Sequence, residues 1–314
     1  MRHTQTPFFY FFSVLLSMNI FANIEMLKLD PGFKISIFAS DLDQPRQMIE
    51  SKNGTIFIGE RSGQIIALLD SDGNGQADSK RVIADDLTYS TGVSIFEGDL
   101  YFSEISKIWK IQDIENWLQK NSSGFPEKIL VTQDLPEDKW HGWKWLQHNA
   151  EGDIYTNVGA PCNICISENP QYASIIRLSD DNWEYVARGV RNSVGFDFHP
   201  ETNKLYFGDN GRDWLGDNSP ACELNRVDED GLFYGFPYQH ALNVKDPEYG
   251  DLESGYDYVD PILELGAHVA PTGLAFYDGE MFPKKYKNNI FITLHGSWNR
   301  SKKVGYKVIR VVLD

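Results

Sequence analysis

Five times along the chain a polar turn residue opens a short alternating run of aliphatic and aromatic residues, and a second apolar run follows, often closing on an apolar–basic pair. The copies are Gly54–Glu60 with Gln64–Leu68, Asp99–Glu104 with Lys107–Lys110, Asp153–Thr156 with Ile175–Leu178, Lys204–Gly208 with Leu224–Val227, and Asn289–Thr293 with Tyr306–Val311. Such β-branched and aromatic runs, bounded by Gly, Asn and Asp, form strands and hairpins. A lone hairpin cannot bury both its faces, so units recurring roughly every 45 to 55 residues must stack their sheets on one another. The pattern predicts an all-β chain, a β-propeller whose blades are the repeats, in one domain over residues 23–314. The interval between the fourth and fifth copies is nearly double and predicts a long loop with its own strand near Leu274–Tyr277. Helix is scarce, and Asp113–Gln119, with Ile114 and Trp117 on one face, is the best candidate. Five copies leave a ring with open sheet edges. Either a strand at Phe33–Phe38 closes it, or the chain is shorter than the complete fold.

Residues 1–22 read as a secretory signal: Arg2 and His3, the apolar run Phe8–Leu16, then small or polar residues to Ala22. The run is too short to span a bilayer comfortably and is interrupted by Ser13. The expected location is therefore the periplasm or the exterior, with no stable membrane span after cleavage. There are 29 Lys and Arg against 45 Asp and Glu, a formal net charge of −16. That balance argues against a nucleic-acid partner, which needs a basic footprint. Of Cys162, Cys165 and Cys222, two can pair in an oxidising compartment, and the spacing does not say which. Ile166 stands where a haem-attachment motif needs histidine, and no second ligand pair follows at zinc-finger spacing.

Four stretches could carry chemistry. Asp70, Asp72, Asn74 and Asp78 place oxygen ligands around Gly73 and Gly75 as a calcium loop does. Arg81 stands where an EF-hand has its bidentate glutamate, so an Asp/Gly hairpin turn is the alternative. His141 lies among Trp140, Trp143 and Trp145 just before a predicted strand, where propeller loops line the channel mouth. Its near-neutral pKa suits a general base, against the alternative of a packed, hydrogen-bonded histidine. Arg191 and Asn192 project from one loop, and arginine supplies fixed donors for a carboxylate or carbonyl. The cluster from Asp209 to Asp217 suits a tight turn or a cation held by main-chain carbonyls. Aromatic residues at the mouth, Trp214 among them, can stack on a sugar ring or pack between blades.

At these motifs the chain resembles the soluble quinoprotein sugar dehydrogenases and their sorbosone-dehydrogenase-like relatives, six-bladed propellers that use pyrroloquinoline quinone and calcium. The similarity runs from Pro31 to the C-terminus through Gly159–Cys165, Arg191-Asn192 with Asp209–Asp213, His268–Gly273 and His295–Arg300, in that order. The resemblance implies that His141, fourteen residues before the strand tyrosine Tyr155, is the base that takes a sugar hydroxyl proton while hydride passes to the quinone. It implies that Arg191 and Asn192 bind the cofactor, with Arg191 stabilising negative charge on a quinone oxygen. It puts the main-chain carbonyls of Gly211 and Arg212 on the cofactor-bound calcium, and Arg300, Lys302 and Lys303 near a cofactor-contacting lysine.

The chain departs from the family in three places. A carboxylate that orients the base in the glucose-oxidising members is replaced by Ala160, and no glutamine falls near Ser90. The last blade, which supplies further cofactor-binding arginines in the family, has no counterpart here. The reading is a periplasmic or secreted quinoprotein dehydrogenase that oxidises an aldose or related hydroxy-aldehyde and passes electrons to an external acceptor. The rivals are a calcium-dependent propeller lactonase or esterase, and a non-catalytic ligand-binding propeller.

Overall fold

The computed structural model describes residues 24–120, 123–180 and 182–313, so the signal at residues 1–22 lies outside the described residues. The described residues fall into two units, which divide after residue 38. In the first, Ile24–Met26 is a single 3-10 turn and Phe33–Phe38 forms no strand, which corrects the ring-closing expectation. The alternation of Phe33, Ile35 and Ile37 gives β propensity, but a strand exists only with a hydrogen-bonded neighbour.

Five of the six sheets in the second unit follow one another in chain order as blades, each built on antiparallel neighbours. The first is Pro45–Glu50, Ile56–Glu60, Gln64–Leu69 and Ser79–Ala84. The second is Val93–Phe96, Asp99–Ser103, Ile108–Ile111 and Ile129–Thr132. The third, Leu146–His148, Ile154–Val158, Ser174–Ser179 and Asn182–Arg188, is extended by Leu232–Phe233 in parallel. The fourth is Phe196–Phe198, Leu205–Asp209, Ala221–Arg226 and Leu263–Ala267. The fifth has three strands, Pro271–Phe276, Ile290–Leu294 and Lys307–Val311. Every repeat read from the sequence is the second and third strand of one blade, and the strand expected near Leu274 is the first strand of the fifth. The long interval carries the added strand Leu232–Phe233 and a small hairpin, Gln239–His240 with Val244–Lys245. The one α-helix among the described residues is Ile114–Gln119, at the expected place. None of these residues forms a helix long and apolar enough to cross a membrane.

Strand alternation explains how the blades hold together. Side chains at successive positions point to opposite faces, so each middle strand feeds two cores. Phe57, Ile65 and Ile83 of the first blade meet Val93, Leu100 and Phe102 of the second, with Ile114 and Leu118 of the helix. Ile108 of the second meets Leu146, Ile154 and Ile176 of the third. The neighbouring positions Tyr155 and Ile175 turn the other way, onto Phe196, Leu205 and Phe207 of the fourth. Tyr206, Cys222 and Leu224 of the fourth then meet Leu274, Ile290 and Ile292 of the fifth. Four apolar cores thus join five blades in sequence order, the propeller arrangement that the repeats predict.

Candidate active site

In an antiparallel meander the start of the first strand lies beside the end of the second. The register shows it: Val93 faces Phe102, Leu146 faces Thr156, Phe196 faces Phe207 and Pro271 faces Leu294. Loops that enter first strands and loops that leave second strands therefore collect at one end of the blades. His141, Gly159–Asn163, Arg191-Asn192, Asn210–Asp213 and His295–Arg300 all lie on such loops, and Asp209 ends the strand that leads into one of them. Main-chain bonds stitch them together: Ala160 N–H donates to the Arg191 carbonyl at 2.8 Å and Asn210 N–H to that of Asn192 at 3.2 Å.

His141 sits in the left-handed region at φ 49°, a conformation that only a surrounding framework can hold in a non-glycine residue. Its Nδ1 is 2.8 Å from the Ala160 carbonyl oxygen. That oxygen can only accept, so Nδ1 carries the proton and Nε2 the lone pair. Ala160 thus fixes the imidazole through its main chain. A carbonyl does not stabilise imidazolium as a carboxylate does. Burial, with a smaller contribution from the Arg191 charge, lowers the His141 pKa to about 3, against the raising effect of the Ala160 bond. Gly159 makes the approach possible: a Cβ there would lie 2.6 Å from the His141 Cβ and 3.1 Å from the Asn192 Oδ1. His141 and Asn192 therefore face each other across a glycine.

Arg191 is only 4% exposed. Its Nε donates to the Asn163 carbonyl at 2.8 Å, Nη1 to the Asn210 carbonyl at 3.2 Å, and Nη2 to Asn163 Oδ1 at 2.9 Å and Asp213 Oδ2 at 3.4 Å. Four of five N–H groups are spent inside the protein, which leaves one on Nη1. The buried Asp209 carboxylate accepts the main-chain N–H of Arg191 at 2.8 Å and of Asn192 at 2.7 Å, pinning that loop to the fourth blade. Burial pushes its pKa up, and those N–H bonds pull against the shift. Asp213 also takes Asn299 Nδ2 at 2.7 Å, tying in the loop after Leu294. The disulfide joins Cys162 to Cys165 and closes the short loop that carries Asn163, while Cys222 is free and buried. Asn163, Asp209, Asp213 and Asn299 are the organisers; the sequence motifs contained them without giving any of them this role.

The other expected residues divide. The carbonyls of Gly211 and Arg212 accept no hydrogen bond from a described residue, whereas the Arg212 guanidinium is buried on Asp246, which also binds His240 Nε2 at 2.9 Å. Asn192 Oδ1 is buried without a partner. Arg300 donates to the Asp217 carbonyl and to Asn218 Oδ1, and Lys303 to the Trp298 carbonyl, so neither bonds to His141, Arg191 or Asn192. Trp140 meets His141 edge-on at 5.8 Å, and Trp214 and Trp298 form an exposed pair with centroids 5.3 Å apart. Trp145 is instead tied inward, through Nε1 to the Phe196 carbonyl. In the first blade the oxygens of Asp70, Asp72 and Asp78 lie within 4.8 Å of one another, and Asp70 accepts the N–H groups of Asn74 and Gly75. This cluster sits between the third and fourth strands, apart from the mouth loops.

The family model described as TrAA12-like matches residues 27–248 and 239–314. An uncharacterized protein of Borreliella burgdorferi is 35% identical over 299 residues, covering 92% of this chain and 77% of that protein. The pyrroloquinoline quinone-dependent pyranose dehydrogenase of Coprinopsis cinerea is 22% identical over 89% of this chain but only 44% of its own length. The holo form of its quinone domain superposes with a TM-score of 0.76 at 19% identity, covering 90% of this chain and 78% of that one. A calcium structure of a Trichoderma reesei enzyme of carbohydrate-active family AA12 gives 0.72 at 19% identity, over 88% and 79%. The likeness to the solved structures is one of fold, and the match of the family model extends over nearly all of the described residues. The chain belongs to the TrAA12-like family.

Proposed function

We propose that this protein is a quinoprotein dehydrogenase that oxidises an aldose or related hydroxy-aldehyde, working with pyrroloquinoline quinone and calcium in the periplasm or outside the cell. The observation that carries the reading is His141: a neutral imidazole, fixed by Nδ1–H to Ala160, with Nε2 free beside Arg191 and Asn192. The residues suit the cofactor. Two free carbonyls, of Gly211 and Arg212, and the unpartnered Asn192 Oδ1 are hard oxygen donors of the kind calcium takes. Arg191 keeps one N–H and its charge for a developing oxyanion. The bound quinone would supply the hydride acceptor.

In this reading His141 Nε2 takes the proton of the anomeric hydroxyl as the C–H hydride departs, so the sugar loses two electrons and two hydrogens in all. Asp209 and Asp213 act by position, holding the Arg191 backbone and guanidinium. A second calcium is proposed at Asp70, Asp72, Asn74 and Asp78, as a brace for the first blade. The lactonase reading finds less support, because the buried carboxylates Asp209 and Glu223 spend their oxygens on main-chain N–H groups of Arg191, Asn192 and Ala241. The test is titration of the full chain with the quinone, with calcium and then chelator, followed by a panel of aldoses. Calcium-dependent saturation and sugar-driven bleaching of the quinone absorbance are expected. A folded protein that binds no quinone would end the proposal.

A further inference from the structure

In a chain with sixteen more acidic than basic residues, two arginines share one aromatic ring at the mouth. Arg46 and Arg61 both stand over the indole of Trp143, their guanidinium carbons 4.4 and 5.1 Å from its centroid. Trp143 is two residues from His141. Arg46 is the second residue of the first strand, and Arg61 follows the second strand of the same blade, so both lie at the end where the catalytic loops gather. Neither forms an ion pair with a described carboxylate, whereas Arg177, Arg191, Arg212 and Arg226 each do. The Arg46 Nη1 is occupied by the Gln44 and Pro45 carbonyls, but its Nε is buried and unpartnered. Arg61 makes no side-chain hydrogen bond to a described residue and lies over the rings of Tyr89 and Trp143.

Arg46 and Trp143 line a cavity of about 560 Å³, a size that suits a small ligand, between the first and fifth blades. The other ionisable groups on its wall are Lys144, 3% exposed, and His295; no Asp or Glu lines it. Two like charges held together on one ring repel each other, and burial adds to the cost. Both conditions, visible as a lowered Arg46 pKa caused first by burial and then by Arg61, are relieved by an anion. The Arg61 guanidinium and the Arg46 Nη2 make no hydrogen bond to a described residue, and such N–H groups are the donors that recognise a carboxylate.

We propose that Arg46, on the wall of this cavity, and Arg61, both over the ring of Trp143 two residues from His141, form a carboxylate subsite, so that the sugar taken at this mouth is a sugar acid. The inference rests on the dehydrogenase reading for its placement at a reacting sugar, but binding can be read without turnover. Calorimetric titration of the full chain with sodium D-glucuronate and with D-glucose, with and without quinone and calcium, is the experiment. Glucuronate is expected to bind at least about tenfold more tightly than glucose, with a preference that weakens as salt rises. Arg61→Gln removes no hydrogen bond, so the variant should fold as the wild type and lose that preference, while Arg61→Lys should keep part of it. Equal binding of the two sugars, no binding of glucuronate, or tighter binding of glucose 6-phosphate or inorganic sulfate would overturn the subsite. Loss of quinone binding in Arg61→Gln, with glucuronate displaced by quinone, would assign the anion to the cofactor and also overturn it. Glucuronate binding in a protein that takes no quinone would leave the subsite standing and remove the dehydrogenase reading alone.

Discussion

Replacing His141 with asparagine tests its protonation state through stability alone, with no need of cofactor or substrate. In the folded protein burial and the Arg191 charge hold the imidazole pKa at about 3, against 6.5 for the free side chain. The folded-state value is depressed, so folding favours the neutral ring. That contribution is complete above pH 6.5 and is lost as pH falls toward 3. At pH 4 the unfolded chain binds a proton at this position that the folded chain does not, which costs the native state about 3 kcal/mol relative to pH 7. Urea unfolding at both values should show wild type losing about 3 kcal/mol more than His141→Asn on acidification. Equal losses would mean that the imidazole titrates near 6.5 in the folded state, and the burial argument would fail. The same ring is the proposed base, so His141→Asn should also lower kcat/KM by about a hundredfold or more at every pH, with no acid limb near 6.5 in wild type.

Arg191→Lys should destabilise by about 2–4 kcal/mol in urea melts, because an ammonium cannot replace the four bonds to Asn163, Asn210 and Asp213; a loss under 1 kcal/mol would show that the clamp is dispensable. Phe207→Ala empties a fully buried site in the third–fourth core and should cost about 3–5 kcal/mol, read by the same melts. Asp72→Asn should weaken the rise in Tm that calcium gives without altering calcium-dependent quinone binding, which separates the loop of the first blade from the mouth.

The blades were legible because strand alternation and turn chemistry are local. Tyr206 and Phe207 show their opposite facings in the sequence, and each goes to a different core. The approach of His141 to Asn192 came from motif order, which a period-two pattern does not encode. What remained hidden depends on pairs far apart in the chain. Asn163 meets Arg191 28 residues on, and Asp213 meets Asn299 86 residues on, both through turn-type residues that look ordinary where they stand. The Phe33–Phe38 alternation misled for the opposite reason, since it is local and a strand's partner is not.

Because each blade is held by the cores it shares with its sequence neighbours, opening is a nearest-neighbour process, as in a stacked array. The fifth sheet has one such core, and its other face shows Ala275, Thr293 and Val308 to solvent. The third and fourth sheets have a core on either side. Amide protons of Ile290–Leu294 and Lys307–Val311 should therefore exchange long before those of Ile154–Val158 and Leu205–Asp209. His141 and Arg191 are rooted in the interior of the array, so the proposed site can outlast fraying of its end.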